Sequence, residues 1–146
     1  KLELPVDAHL PHDYVEDERQ RLELYKRISA IRDAGGVRDA KAELADRFGP
    51  LPEAADRLLS LAALKAALRR WKIHEVTLTA AGRLRIAPMD LSDSQLVRVE
   101  RLHRGYRYQR DQQILQVPVP SPRPDDLIAW VAATLRDLLA PAPKKR

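Results

Sequence analysis

The spacing of apolar residues changes about halfway along this chain. Up to Trp71, apolar residues recur every three or four positions, a spacing typical of amphipathic helices. From Val76 onward they alternate with polar residues, first to Leu78 and again from Leu84 to Ile86, which is typical of strands joined in a hairpin. The sequence therefore predicts an α+β fold, in which a helical N-terminal half of three helices is followed by a small β-sheet packed by two further helices.

Glycine and proline residues divide the helical half into three predicted helices. The first is expected from about Asp17 to Ala34, where a pair of glycines follows. The second is expected from Val37 to Phe48, and the third from Pro52 to about Trp71, with apolar residues on more than one face. The buried face of the first helix is expected to hold Leu22, Tyr25, Ile28 and Ile31.

The second half is predicted to hold three strands and two helices. A turn at Ala81-Gly82 joins the two strands of the hairpin. Ser92 and Gln95 have the spacing of a capping box, which predicts a helix directly after them. Tyr106 to Val119 is predicted to form one long or bent strand, and the last helix is expected from about Asp125 to Leu139.

The length of 146 residues is typical of one domain. We expect residues 1–16 to be an extended lead-in or linker, residues 17–140 a single domain, and residues 141–146 a disordered basic tail. The chain begins without an initiator methionine, and we expect it to be a segment of a longer protein. It holds no apolar stretch of the roughly 20 residues that span a membrane, so no membrane partner and a cytoplasmic location are expected.

No pattern of residues in this chain predicts catalysis or cofactor binding. Cysteine is absent, which excludes disulfides, cysteine-ligated zinc and cysteine nucleophiles. The five glycines form no phosphate-binding loop. His9 and His12 have a spacing compatible with a metal site, but they lie between prolines without a third fixed ligand, and solvation in a loop is the competing interpretation. The sequence therefore predicts no catalytic, cofactor or metal site, and no enzyme in this chain alone.

The charge of the chain is unevenly distributed. Residues 1–60 hold 10 basic and 13 acidic residues, and residues 61–146 hold 16 basic and 8 acidic residues. In the second half, arginines alternate with tyrosines in a pattern that suits a nucleic-acid backbone. The candidate contacts are Arg101, Arg104, Arg107 and Arg110. The competing interpretation is a solvated surface of an arginine-rich protein.

Two carboxylates near the end of the second predicted helix form a candidate docking site. Glu43 and Asp46 are three residues apart and therefore project from one side of the helix, while Leu44 and Phe48 take the buried side. Carboxylates at this end oppose the helix dipole, a cost that a cationic partner offsets. Solvation, or local pairing with Arg47, is the alternative interpretation.

Three segments of the sequence together resemble one known family. They are Asp7-Ala-His-Leu-Pro-His-Asp-Tyr-Val15, Arg21-Leu22-x-x-Tyr25-Lys26-Arg27 and Glu43-Leu44-x-Asp46-Arg47-Phe48-Gly49-x-Leu51-Pro52. In this order and at these spacings they resemble the C-terminal domain of the bacterial transcription-repair coupling factor family (Mfd). The resemblance is densest from Asp7 to Trp71 and looser beyond.

The resemblance implies a regulatory function for this chain. Members of the family are ATP-driven DNA translocases that displace stalled RNA polymerase and recruit nucleotide excision repair, with the ATP and Mg²⁺ sites outside this segment. The C-terminal domain is implied to be autoinhibitory: it docks on an N-terminal UvrB-like module and masks the surface that binds UvrA until RNA polymerase is engaged. By motif match, Glu43 and Asp46 are the implied docking residues. The alternative function is a nucleic-acid-binding accessory module that uses the basic C-terminal half.

Overall fold

The computed structural model describes residues 1–139, which form two compact units. One unit, called the helical unit below, runs from Pro5 to Lys72. The other, called the sheet unit, combines Lys1–Leu4 with the chain from Ile73 onward. Five helices and a five-stranded mixed sheet within the described residues confirm the predicted α+β class. The sequence predicts a single domain over residues 17–140, whereas the described residues group into two units; the predicted tail, 141–146, lies outside the described residues.

The helical unit consists of three helices: α1 (Glu18–Ser29), α2 (Ala34–Phe48) and α3 (Glu53–Trp71). The side chain of Asp17 accepts a hydrogen bond from the backbone of Gln20 and so caps the start of α1. Asp33 caps the start of α2 in the same way. The prediction that the first helix reaches Ala34 is therefore wrong, because Asp33 begins a new helix whose first turn contains the two glycines that were expected to end the old one.

The core of the helical unit includes residues that precede its first helix. Buried residues of this core are Leu10, Val15, Leu24, Ile28, Leu44, Ala55 and Leu59. The segment predicted as an extended lead-in thus contributes two side chains to the core. Leu22, which the sequence analysis places on the buried face of α1, is instead 57% exposed, whereas Leu24 is 5% exposed. That prediction is wrong because the buried face is set by Leu24 and Ile28, which are four residues apart on the same side.

The sheet unit contains five strands in the order β1-β2-β3-β5-β4. Their bounds are β1 (Leu2–Glu3), β2 (Glu75–Leu78), β3 (Arg83–Ala87), β4 (Arg107–Gln109) and β5 (Ile114–Pro118). Strand β1 runs parallel to β2, and the other neighbouring strands are antiparallel. The register places one row of side chains across all five strands: Leu2, Val76, Ile86, Leu115 and Tyr108. Its three central members are fully buried.

The long strand predicted over Tyr106 to Val119 is two strands joined by a turn, and that prediction is wrong. Residues 110–113 form the turn, which the backbone of Gln113 closes by donating a hydrogen bond to the carbonyl of Arg110. Gln113 adopts a positive φ of 55°, a conformation more usual for glycine or asparagine. The turn was missed because none of its residues is a glycine or a proline.

Two helices complete the sheet unit: α4 (Asp93–Leu102) and α5 (Leu127–Leu139). The predicted capping box at the start of α4 is confirmed, since the Ser92 side chain accepts from the backbone of Gln95 and the Gln95 side chain accepts from the backbone of Ser92. One face of α5 is buried through Leu127, Ile128, Val131, Leu135 and Leu138. Among residues 1–139, no helix combines the length and apolarity needed to cross a membrane.

Candidate docking surface

The C-terminal end of α2 is held in place by a tyrosine from the segment before α1. The hydroxyl of Tyr14 is within hydrogen-bond distance of two carbonyl oxygens, that of Leu44 at 3.1 Å and that of Gly49 at 2.8 Å, and its proton is shared between them. Its ring packs against Phe48, with the ring centroids 5.7 Å apart. Because Leu44 is buried, the opposite side of the helix, with Glu43 and Asp46, is directed away from the core.

Glu43 is neutralised by two arginines of its own unit. Arg27 of α1 binds both carboxylate oxygens, with Nη1 donating to Oε1 at 3.0 Å and Nη2 donating to Oε2. Nη1 of Arg47 lies 3.6 Å from Oε1. The hydrogen bond from Arg27 lowers the pKa of Glu43 below its ordinary value, and the same bond raises the pKa of the Arg27 guanidinium. The side chain of Glu43 is only 33% exposed.

Asp46 differs from Glu43 in both exposure and pairing. Its side chain is exposed, and no ion pair joins it to another residue in the part of the chain that the structure describes. It lies two residues before the end of α2, where the dipole of the helix disfavours a negative charge. Arg47, beside it in sequence, is directed elsewhere, because its guanidinium contacts Glu43 and lies 5.0 Å from the ring centroid of Phe48. Asp46 is therefore the carboxylate of the pair that remains available to a cation of another protein surface.

Both carboxylates were predicted from the sequence, but only one of the two arginines that pair with Glu43 was. Pairing between Glu43 and Arg47 follows from their spacing of four residues on one helix. The stronger pairing with Arg27 crosses from α1 to α2. Sequence reasoning missed it, because no spacing rule relates residues on two helices whose packing is unknown.

The four candidate nucleic-acid contacts of the sheet unit do not form one uniform surface. Arg101 and Arg104 line an open depression of about 480 Å³ together with Glu100, Gly105 and Tyr106, while Arg107 is exposed on β4. Arg110 is instead bound to Asp93 at 3.0 Å. The unit neutralises two further arginines in the same way, with Arg98 bound to Asp137 at 2.7 Å and Arg85 to Glu75 at 3.1 Å.

Two of the histidines have surroundings that the structure defines. Nδ1 of His9 lies 2.7 Å from Oδ1 of Asp7, so this ring is engaged by its own segment. Burial lowers the pKa of His103, and its Nε2 has no hydrogen-bond partner among the described residues. No group of three or more histidine or acidic side chains in this part of the chain is placed to hold a metal ion.

Comparison with known proteins relates both units to one family. A family model described as the TRCF domain matches residues 4–96. The transcription-repair-coupling factor of Mycobacterium bovis is 38% identical over 152 residues, which cover 99% of this chain and 12% of that protein. The corresponding protein of Myxococcus xanthus is 33% identical over 138 residues, covering 92% of this chain and 12% of that protein. The chain thus spans about an eighth of the length of these curated relatives.

A solved structure shares the fold. It is the crystal structure of the C-terminal domain of transcription-repair coupling factor, which matches with a TM-score of 0.75 at 21% sequence identity and covers 94% of this chain and 92% of that one. The family model and the sequence relatives agree with the motif resemblance, and the family acts in DNA repair. This chain therefore belongs to the transcription-repair coupling factor family and has the fold of its C-terminal domain.

Proposed function

We propose that this domain is autoinhibitory and docks through the carboxylates near the C-terminal end of α2, Glu43 and Asp46, on the UvrB-like module of the coupling factor that contains it. In the docked state it masks the surface that binds UvrA, and engagement of RNA polymerase favours release. The observation that carries the proposal is the exposed carboxylate of Asp46, which lacks an ion pair with any residue in the described part of the chain and opposes the dipole of its own helix. A guanidinium on the partner module would offset that cost.

The two carboxylates have different parts in this docking. Asp46 is the direct contact for a partner arginine. Glu43 is already bound by Arg27 and Arg47, so a partner cation gains less from it than from Asp46. We assign to Glu43 the role of fixing the two arginines beside the docking surface, so that neither approaches Asp46.

An interface built on exposed charges suits a reversible function. A single exposed ion pair contributes only about 0.2–1 kcal/mol. Such contacts set the register of docking without making release slow, and a second ligand with a modest preference for the undocked state then shifts the population. A large apolar interface would hold the domain closed.

The activities of the whole coupling factor remain proposals drawn from family membership. We propose that the protein containing this domain is an ATP-dependent DNA translocase of the cytoplasm, with ATP and Mg²⁺ bound outside this chain and with UvrA and RNA polymerase as its partners. No catalytic group is assigned to the present chain. Its proposed role is to control when the rest of the protein can bind UvrA.

The proposal predicts that Asp46→Arg in the intact coupling factor increases both its affinity for UvrA and its basal ATPase rate. The substitution replaces an attraction to partner arginines by a repulsion. If nine in ten molecules are docked at rest, complete release raises the apparent affinity for UvrA about tenfold. The measurement is a titration with UvrA, accompanied by an ATPase assay without RNA polymerase.

The matched control is Glu23→Arg, which makes the same charge change at an exposed position of α1 in the same unit. It is expected to leave both quantities at the level of the unmodified protein. Equal UvrA affinities for the Asp46→Arg protein and the unmodified protein would show that Asp46 does not hold the domain in place.

A second candidate function is nucleic-acid binding by the sheet unit. It is favoured by Arg101 and Arg104, which lie at one depression with Tyr106 and outnumber its one carboxylate, Glu100. Neither arginine forms an ion pair with any residue between 1 and 139. Guanidinium groups next to an aromatic ring suit a phosphate backbone and a stacked base. This function requires that replacing both arginines by alanine lowers the affinity of the chain for DNA.

A further inference from the structure

The helical unit contains an arginine-lined cleft that the docking function does not use. It is open and has a volume of about 530 Å³. One side is formed by the end of α1 and the loop that follows it, and the other by the last turns of α3. Its lining residues are Ser29, Ala30, Arg32, Ala66, Arg69 and Arg70, so no carboxylate lines it.

The three arginines of this cleft form no ion pair with a described residue, unlike three of the other six arginines of the helical unit. Arg27, Arg47 and Arg57 each form an ion pair with a glutamate. Arg32 and Arg69 are exposed and form no ion pair with any residue that the structure describes. Arg70 is also exposed, and its Nη1 lies 3.5 Å from the carbonyl oxygen of Arg32, a long hydrogen bond that leaves its charge unneutralised.

Helix electrostatics account for only part of this arrangement. Arg69 and Arg70 lie in the last turn of α3, where positive charge is favourable. Arg32 lies one residue before Asp33, which caps the start of α2, and positive charge is unfavourable at that end of a helix. Bringing this third guanidinium to the same cleft adds repulsion, which a bound anion would remove.

We infer that this cleft binds the phosphate backbone of duplex DNA. Guanidinium groups bind phosphate oxygens through paired N–H donors, and the hydroxyl of Ser29 adds a further donor. Because positive groups line both sides of an open cleft, the arrangement suits a continuous polyanion that passes through it. The cleft holds no side chain in a recognised base-reading motif, so the binding is independent of sequence. The repair function of the family makes DNA the polyanion that this domain meets.

The experiment is a titration of the 146-residue chain with a fluorescently labelled 20-base-pair duplex at several salt concentrations. The cleft variant is Arg32→Ala with Arg69→Ala. Each phosphate contact contributes about 0.9 to the slope of log affinity against log salt, so this variant is expected to reduce the slope by about two. Its affinity near 0.1 M salt is expected to fall about tenfold.

Two further variants make the result specific to the cleft. Arg19→Ala with Arg38→Ala removes the same charge from exposed positions outside the cleft and is expected to change the affinity less than twofold. Arg101→Ala with Arg104→Ala tests the depression of the sheet unit. The inference is overturned if the chain does not bind DNA, if the control pair weakens binding as much as the cleft pair, or if only the Arg101 and Arg104 pair weakens it. It is also overturned if poly-glutamate binds as tightly as the duplex, because the cleft would then select an acidic polypeptide.

Discussion

Glu43 and Asp46 are three residues apart on one helix but have different surroundings. Both of the arginines that contact Glu43 belong to the same unit, one on α1 and one on α2. Asp46 makes no such contact within the described residues. The residue types and their spacing were visible in the sequence, and so was their orientation away from Leu44. Their separation into one bound and one available carboxylate depends on how α1 packs on α2, which the sequence did not reveal.

The pairing of Glu43 with Arg27 predicts a specific dependence of stability on pH. The pKa of Glu43 is lower in the folded chain than in the unfolded chain, so its contribution is present above the unfolded pKa and is lost as the pH falls through the folded pKa. Glu43→Gln removes this contribution. The difference in melting temperature between pH 7 and pH 3 is therefore expected to be smaller for the variant than for the unmodified chain.

Glu23→Gln is the control for that measurement, because Glu23 is exposed on α1 and forms no ion pair with another described residue. Its pH dependence is expected to match that of the unmodified chain. A Glu43→Gln variant whose melting temperature changes with pH as much as that of the control would mean that Arg27 and Glu43 are not paired in solution.

The residues that carry the family resemblance are largely explained by packing. Tyr25 accepts a hydrogen bond from the backbone of Leu10 through its hydroxyl, at 2.8 Å. Tyr14 binds the two carbonyls at the end of α2. Phe48 and Leu51 pack against the core of the helical unit. Asp46 carries the docking proposal because it is exposed, forms no ion pair with a described residue and lies near the end of α2, where the helix dipole disfavours a negative charge.

At the scale of elements, the predicted elements agree with the structure where local signals are strong. The capping box before α4, the hairpin of β2 and β3, and the apolar face of α5 were all visible in the sequence. Strand β1 was not predicted, because two residues are too few to show an alternating pattern and they pair with a strand more than 70 positions later in the sequence. The turn between β4 and β5 gave none either, because Gln113 takes the positive φ that usually marks glycine.

The orientation of α1 is an element-level result that stability measurements test. Leu24 is buried in the core and Leu22 is exposed, although both are leucines two residues apart. Leu24→Ala is expected to lower the free energy of unfolding by about 2–5 kcal/mol, because it leaves a cavity. Leu22→Ala is expected to change it by less than about 0.5 kcal/mol. Urea denaturation of both variants provides the comparison, and similar losses in the two would contradict the buried face described here.

At the scale of the whole molecule, the charge of the chain is distributed between surfaces with different expected partners. The proposed partner of the exposed Asp46 carboxylate near the end of α2 is a cationic protein surface. The cleft between the α1–α2 loop and the end of α3 is suited to phosphate groups. Because the two surfaces lie on different elements of the helical unit, substitutions affect them separately. The loss of one function is therefore distinguishable from unfolding of the unit.

The most direct test of the central claim is the affinity of the 146-residue chain for a separately produced UvrB-like module, measured by calorimetry at low and high salt. We predict saturable binding that weakens as salt is added and that Asp46→Arg weakens by at least about tenfold, since like charges then face each other. Glu23→Arg is predicted to bind as the unmodified chain does. Absence of binding at low salt, or equal affinity for the Asp46→Arg chain, would contradict the account.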